Sequence, residues 1–166
     1  MENRKQAGRL ERIWLKRNFR GPMDEREAAV LVPEQGLESN ANQGGKRQVT
    51  LLDADSWEEM VSEMGEAPDP SVRRANLLVR GLSLRESRGR VLAIGTSRLR
   101  INGETRPCER MEEACTGLLE FMRPKWRGGA YAQVLEGGQI QVGDAVRWEE
   151  EPPAVLRIGQ GTTFGE

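Results

Sequence analysis

The chain has 166 residues, 37% hydrophobic and 31% charged, with 25 Lys plus Arg against 26 Asp plus Glu and a net charge of −1. That length suits one domain burying roughly 70% of the surface its unfolded chain exposes, and the balanced charge argues against a general nucleic-acid or membrane-surface binder, since both need excess positive charge. With no histidine, the chain alone cannot build a Ser-His-Asp or Cys-His arrangement, a histidine general base or a His-ligated zinc, which leaves any reaction to Cys, carboxylates, Lys, Arg, Tyr or a bound cofactor.

Residues 1–8 are polar and charged, without the apolar stretch of a secretory signal. They read as a flexible N-terminus on a protein that stays in the cytoplasm. From there to residue 148 the pattern is one of short apolar or β-branched runs bounded by Gly, Pro or charge. Strands are expected at 9–16, 27–32, 47–52, 75–79, 91–94, 98–101, 131–135 and 145–148. Turn signals separate them: Arg20-Gly21-Pro22, Asn102-Gly103, Gly128-Gly129, Gly137-Gly138 and Gly143-Asp144. Many short strands with frequent turns predict a mainly β, mixed β/α domain built as a closed or nearly closed barrel.

Two stretches follow a helical period instead. Over 56–64, Trp57, Met60, Val61 and Met64 recur at i, i+3, i+4 and i+7 behind Asp53, Asp55 and Ser56 as N-cap candidates. Over 109–122, Met111, Ala114, Cys115, Leu118, Leu119 and Met122 form one apolar stripe, which Pro124 ends. Residues 33–46 are polar and Gly-rich and read as a long functional or mobile loop. Residues 149–166 read as a C-terminal tail, loosely held past Pro153 unless Val155, Leu156 and Ile158 dock.

The two cysteines are too few for a disulfide framework and read as reduced thiols. Cys108 stands between Arg106 and Arg110, just before the second predicted helix. Those charges favour a thiolate if they point at it, and a thiolate suits a soft metal or a persulfide. Read locally, an ordinary half-buried cysteine fits as well. Cys115, on the apolar stripe, reads as a small core residue, with a resolving thiol for Cys108 as the other option. Arg47, Arg73, Arg74 and Arg127 stand at loop-to-strand junctions with Asn76 and Tyr131 nearby, as anion ligands or as solvated surface charge. Trp14, Trp57, Trp126 and Trp148 read as core or rim packing, Trp126 alternatively as a pocket wall.

The order of segments resembles the MOSC family, the module at the C-terminus of molybdenum-cofactor sulfurases and in amidoxime-reducing molybdenum enzymes. The pieces that carry it are Gly36-Leu37 with the loop to Arg47-Gln48-Val49; Arg74-Ala75-Asn76-Leu77-Leu78-Val79; Leu99 to Ile101 with Arg106-Pro107-Cys108-Glu109-Arg110; and Arg127-Gly128-Gly129-Ala130-Tyr131-Ala132-Gln133-Val134, closed by Gly138-Gln139-Ile140 and Val142-Gly143-Asp144. The resemblance implies a MOSC-type β barrel over 9–148 with Cys108 on a loop at its mouth. It implies a molybdenum cofactor, with Cys108 as metal ligand, catalytic thiol or sulfane-sulfur carrier. Arg47, Arg73, Arg74, Asn76, Arg106, Arg110, Arg127 and Tyr131 are then the candidates for binding the cofactor. An enzyme of this kind would be a reductase of N-hydroxylated compounds or a sulfur transferase. No electron-transfer or pyridoxal-phosphate domain is legible, so it would need a separate electron-transfer or sulfurtransferase partner. Many relatives carry an Asp and a His in the loop after Gly36-Leu37, where this chain reads Glu38-Ser39-Asn40-Ala41-Asn42. That departure and the lack of histidine support the other reading, a non-catalytic barrel that binds a cofactor or small anion.

Overall fold

The computed structural model describes residues 8–150. Strand β1 (Gly8–Lys16) pairs antiparallel with β2 (Met23–Arg26), with β6 (Leu77–Arg80) and, at its first residues, with β11 (Ala145–Trp148). From β11 the sheet runs through β7 (Val91–Ile94), β8 (Ser97–Glu104), β9 (Ala130–Glu136) and β5 (Val49–Asp53) back to β6. Seven strands therefore close a barrel, and β2 extends from β1. The barrel's one parallel pair is β5–β6. Parallel neighbours need a crossover, supplied here by helix α1 (Ala54–Met64) and a 3₁₀ turn at Pro70–Arg73. A small sheet of β10 (Gly138–Gln141), β3 (Ala28–Val32) and β4 (Gly36–Leu37) completes the β structure.

Strand alternation divides the apolar residues into two cores. Leu51, Leu77 and Val79 face the barrel interior with Leu92, Ile94, Leu99, Ile101 and Val134, and Leu31, Leu37 and Ile140 of the small sheet join them. Their sequence neighbours Leu52 and Leu78 point outward and pack with Trp14, Trp57, Met60, Met111, Leu118 and Met122 beneath the helices. Strand β1 keeps Leu10, Ile13 and Leu15 inside although their spacing is uneven, because the register shifts between Leu10 and Arg12. Such a bulge adds one residue and flips the facing of those after it.

The predicted 56–64 helix lies within α1. Asp53 caps it by accepting from the Ser56 N–H at 3.0 Å, and Gly65 ends it at φ 81. The 109–122 stripe is corrected: it is two short helices, α2 (Glu109–Ala114) and α3 (Leu118–Met122). Cys115 is extended and Gly117 left-handed, so the chain turns between them while the apolar residues of both helices still reach the second core. The tight turn expected at Asn102-Gly103 is also corrected, since β8 runs through it with a register shift between Ile101 and Gly103. Asn102 holds that bulge by donating to the Lys46 carbonyl and to Gln133 Oε1. The short strands β2, β4 and β10 escaped the pattern reading. Expectations for residues 1–7 and 151–166, including docking of Val155, Leu156 and Ile158, lie outside the described residues. No helix among the described residues is long and apolar enough to cross a membrane.

Candidate functional site

Six segments meet at one end of the barrel and line a cleft of about 420 Å³. They are the end of β1 and the turn after it with Lys16 and Phe19, the 38–46 loop with Asn42, the entry to β5 with Arg47, Gln48 and Thr50, the approach to β6 from Arg73 to Asn76, the link from β8 into α2 with Thr105, Cys108 and Arg110, and the turn before β9 with Gly128. Glycine lets the chain close up here. A Cβ on Gly128 would meet the Thr105 carbonyl oxygen at 2.3 Å, and one on Gly129, at φ 100, would meet that of Leu51 at 2.1 Å. The Arg127-Gly128-Gly129 motif is thus a close-approach turn that pulls the Cys108 segment against β5.

Among the described residues the lining carries five cations, Lys16, Arg47, Arg73, Arg74 and Arg110, and no Asp or Glu. Burial first, and then repulsion among neighbours, lowers the pKa of three of them. Burial, then Arg74, Arg110 and Arg47, hold the Lys16 ammonium below the usual lysine range. Burial and then Arg110 lower Arg74. Arg73 is lowered to about 10, chiefly by burial.

Arg74 bears two further marks of a built site. Its backbone is left-handed at φ 64, a region that costs a non-glycine residue on the order of 1 kcal/mol or more. Its Nη2 is buried and has no hydrogen-bond partner among the described residues. A buried donor left unpaired costs about 1–3 kcal/mol, more when charged.

The other candidates divide. Cys108 is a free, exposed thiol on the residue before α2 and lines the cleft with Arg110. Arg47 lies over the Tyr131 ring, 4.8 Å from its centroid, so Tyr131 sets the orientation of a lining cation without lining the cleft. Asn76 lines the cleft, but its amide is occupied. Its Nδ2 donates to the Trp14 carbonyl and Asn40 Oδ1, and its Oδ1 accepts from the Thr50 N–H and hydroxyl. It ties β1, β5 and the 38–46 loop together, so its expected ligand role is reassigned to structure. Arg106 is exposed and outside the lining, and only its carbonyl faces inward, toward Arg73.

Arg127 lies outside the cleft lining. Its side chain, 3% exposed, turns away from the cleft to pair with Glu63 at 2.9 Å and to donate to the Phe121 carbonyl at 2.9 Å. Trp126 packs on the barrel core and walls a different depression, beside Asp53 and Lys125. Cys115, expected in the core, is half-buried at the helix break, and its thiol donates to Glu66 Oε1 at 3.2 Å. That bond, then burial, raises its pKa. Sequence reasoning missed Lys16, Phe19, Asn42 and Thr50 as lining residues. For Lys16 the available signal was a cation at a strand end facing a predicted turn. The 38–46 loop is built rather than loose: buried Asn40 accepts from the Lys16 N–H at 2.7 Å, and Gln43 donates to the Leu37 and Asn40 carbonyls.

A closed, mixed barrel with a thiol in a cationic cleft at its mouth defines the class. Within it, residues 38–147 match the MOSC domain family, and the chain belongs to that family. MOSC domains are associated with the molybdenum cofactor. No curated protein matches the sequence. Among solved structures, the fold is similar to the YuaD protein of Bacillus subtilis at 14% identity and TM-score 0.75, over 88% of this chain and 97% of that one. It is also similar to YiiM of Geobacillus stearothermophilus at 15% identity and TM-score 0.69, over 86% and 75%. YiiM of Escherichia coli gives 15% and 0.64, over 87% and 71%. At these identities the likeness concerns the fold alone.

Proposed function

We propose that this MOSC domain binds the molybdenum cofactor in the cationic cleft, or carries sulfane sulfur there, with Cys108 as the protein ligand or carrier atom. The observation that carries the reading is one cleft that, among the described residues, holds five cations, no carboxylate, a buried Arg74 donor without an acceptor, and an exposed thiol. The residues present fit such a group. Guanidinium groups match phosphate geometry, a thiolate suits a soft metal, and the volume is that of a small-molecule site. Arg74, Lys16, Arg47 and Arg110 would hold the phosphate, and Cys108 would face the metal. When bound, the cofactor would supply a redox-active metal centre for reduction of N-hydroxylated compounds, with electrons from a separate partner. As a sulfur carrier, the Cys108 thiolate would attack the terminal sulfur of a donor persulfide. The new S–S bond leaves Cys108 as the persulfide, and the donor departs as a thiolate.

A second reading, a non-catalytic anion-binding barrel, draws on the 38–42 loop. There Asn40 is a structural bracket, in the loop where many relatives carry Asp and His. The test is metal analysis, an absorption spectrum and a sulfane-sulfur assay on protein made in cells that synthesise the cofactor. Wild type should load metal or sulfur, and Cys108→Ser should lose that loading with its fold intact. Wild type that binds inorganic phosphate but loads neither would make the second reading the better one.

A further inference from the structure

Arg73 and Arg74 are adjacent, and both line the cleft, yet their surroundings are opposite. Arg74 Nη2 has no partner among the described residues. Arg73 donates from Nε to the Gly128 carbonyl at 2.8 Å and from Nη2 to the carbonyls of Thr105 at 3.0 Å and Arg106 at 3.4 Å. Three of its five N–H donors thus go to protein. The acceptors belong to the two segments whose contact Gly128 permits, and one of those segments carries Cys108 two residues on. A second bond spans the same gap, from the Thr105 N–H to the Gly129 carbonyl at 2.8 Å.

We propose that Arg73 is a positioning residue: it holds the Thr105–Arg106 backbone, which leads into Cys108, against the Gly128 turn and fixes one positive charge near that segment, leaving anion contact to Arg74 and its neighbours. The assignment rests on the reading of Cys108 as the working atom. It is supported by the charge coupling between Arg73 and Cys108, which acts against the effect of burial on the guanidinium.

The test labels Cys108 in the folded protein with neutral iodoacetamide and with anionic iodoacetate, and titrates inorganic phosphate, in wild type, Arg73→Gln, Arg73→Lys and Arg74→Gln. The iodoacetate-to-iodoacetamide rate ratio reports fixed charge at the sulfur, because the thiolate fraction cancels. In Arg73→Gln the ratio should fall about threefold, on the order of the effect of losing one nearby unit charge in water, with phosphate affinity within about threefold of wild type. Arg73→Lys should restore the ratio, which loss of a purely structural clamp would not allow. Arg74→Gln should lose phosphate affinity by about tenfold or more, the loss of a charged hydrogen bond. Arg73→Gln that weakens phosphate as much as Arg74→Gln, or that leaves the ratio unchanged, overturns the proposal. If Arg73→Gln does not fold, the decision falls to Arg73→Lys, where a ratio well below wild type overturns it. Wild type that fails to bind phosphate counts against the proposed function instead, and the labelling arm still decides the role of Arg73.

Discussion

Arg74 in the cleft and Arg127 on the helix-covered flank look alike in the sequence, each an arginine at a loop-to-strand junction. In the fold they are opposites. Arg127 lies against α1, where Glu63 and, at 3.9 Å, Glu59 answer its charge. Arg74 faces Arg110 and Lys16, in a cleft lined by no carboxylate among the described residues. The difference teaches that the partners packed around a guanidinium, and not its junction position, decide whether it holds the protein together or waits for a ligand.

The sharpest way to break this comparison is to remove each arginine and read both stability and binding. Arg127→Ala strips a buried cation from a half-exposed Glu63 and leaves the Phe121 carbonyl without its donor. It should lower unfolding stability by about 2–3 kcal/mol in urea, the range for charged hydrogen bonds, with phosphate affinity unchanged. A phosphate defect at normal stability would show that the flank and cleft are not separate. Arg74→Ala should do the reverse, weakening phosphate by about tenfold or more by calorimetry while stability holds or rises, since it removes a desolvated and repelled charge.

A smaller effect sharpens the electrostatic half of the argument. Lys16 is depressed below 10.5 in the fold, so between its folded and unfolded values the unfolded chain binds more protons. Its contribution to stability therefore rises with pH through that window and is absent below it. Phosphate binding should move the opposite way, falling as the pH climbs through the depressed Lys16 range, where phosphate's own charge no longer changes. Lys16→Met should weaken binding and flatten that alkaline limb in a pH series of titrations.

The smallest effect concerns the second thiol. Because Cys115 is bonded to Glu66, its labelling in the folded protein should be slower than that of exposed Cys108 at neutral pH and should rise only in more alkaline solution. Glu66→Gln should move that rise to lower pH without changing Cys108, as alkylation and peptide mapping would show.

Apolar alternation was readable wherever burial was strong. Residues 91–94 and 145–148 are the strands β7 and β11 as expected, and the inward and outward leucines at 51, 52, 77 and 78 follow from a period of two. Met23–Arg26 was silent because it is an edge strand in which Met23 alone reaches the second core and the other three side chains are charged. Asn102-Gly103 misled because a local turn preference was overruled by the bonds Asn102 makes to Lys46 and Gln133. At the site, Cys108, Arg47, Arg73, Arg74 and Arg110 were legible from residue type and family order, whereas Lys16 and Phe19 come from the far end of β1 and the turn after it, distant in sequence.

By itself, then, the sequence determined the strand periods, the lack of any histidine chemistry, and the set of cations and thiols available at loop ends. Only the tertiary structure decided which of those cations share a cleft and which meet a carboxylate. The physical reason is that strand and helix periods act over neighbouring residues, while an arginine's partners are chosen by barrel closure. That closure brings Lys16 to Arg74, and packing of α1 brings Glu63 to Arg127.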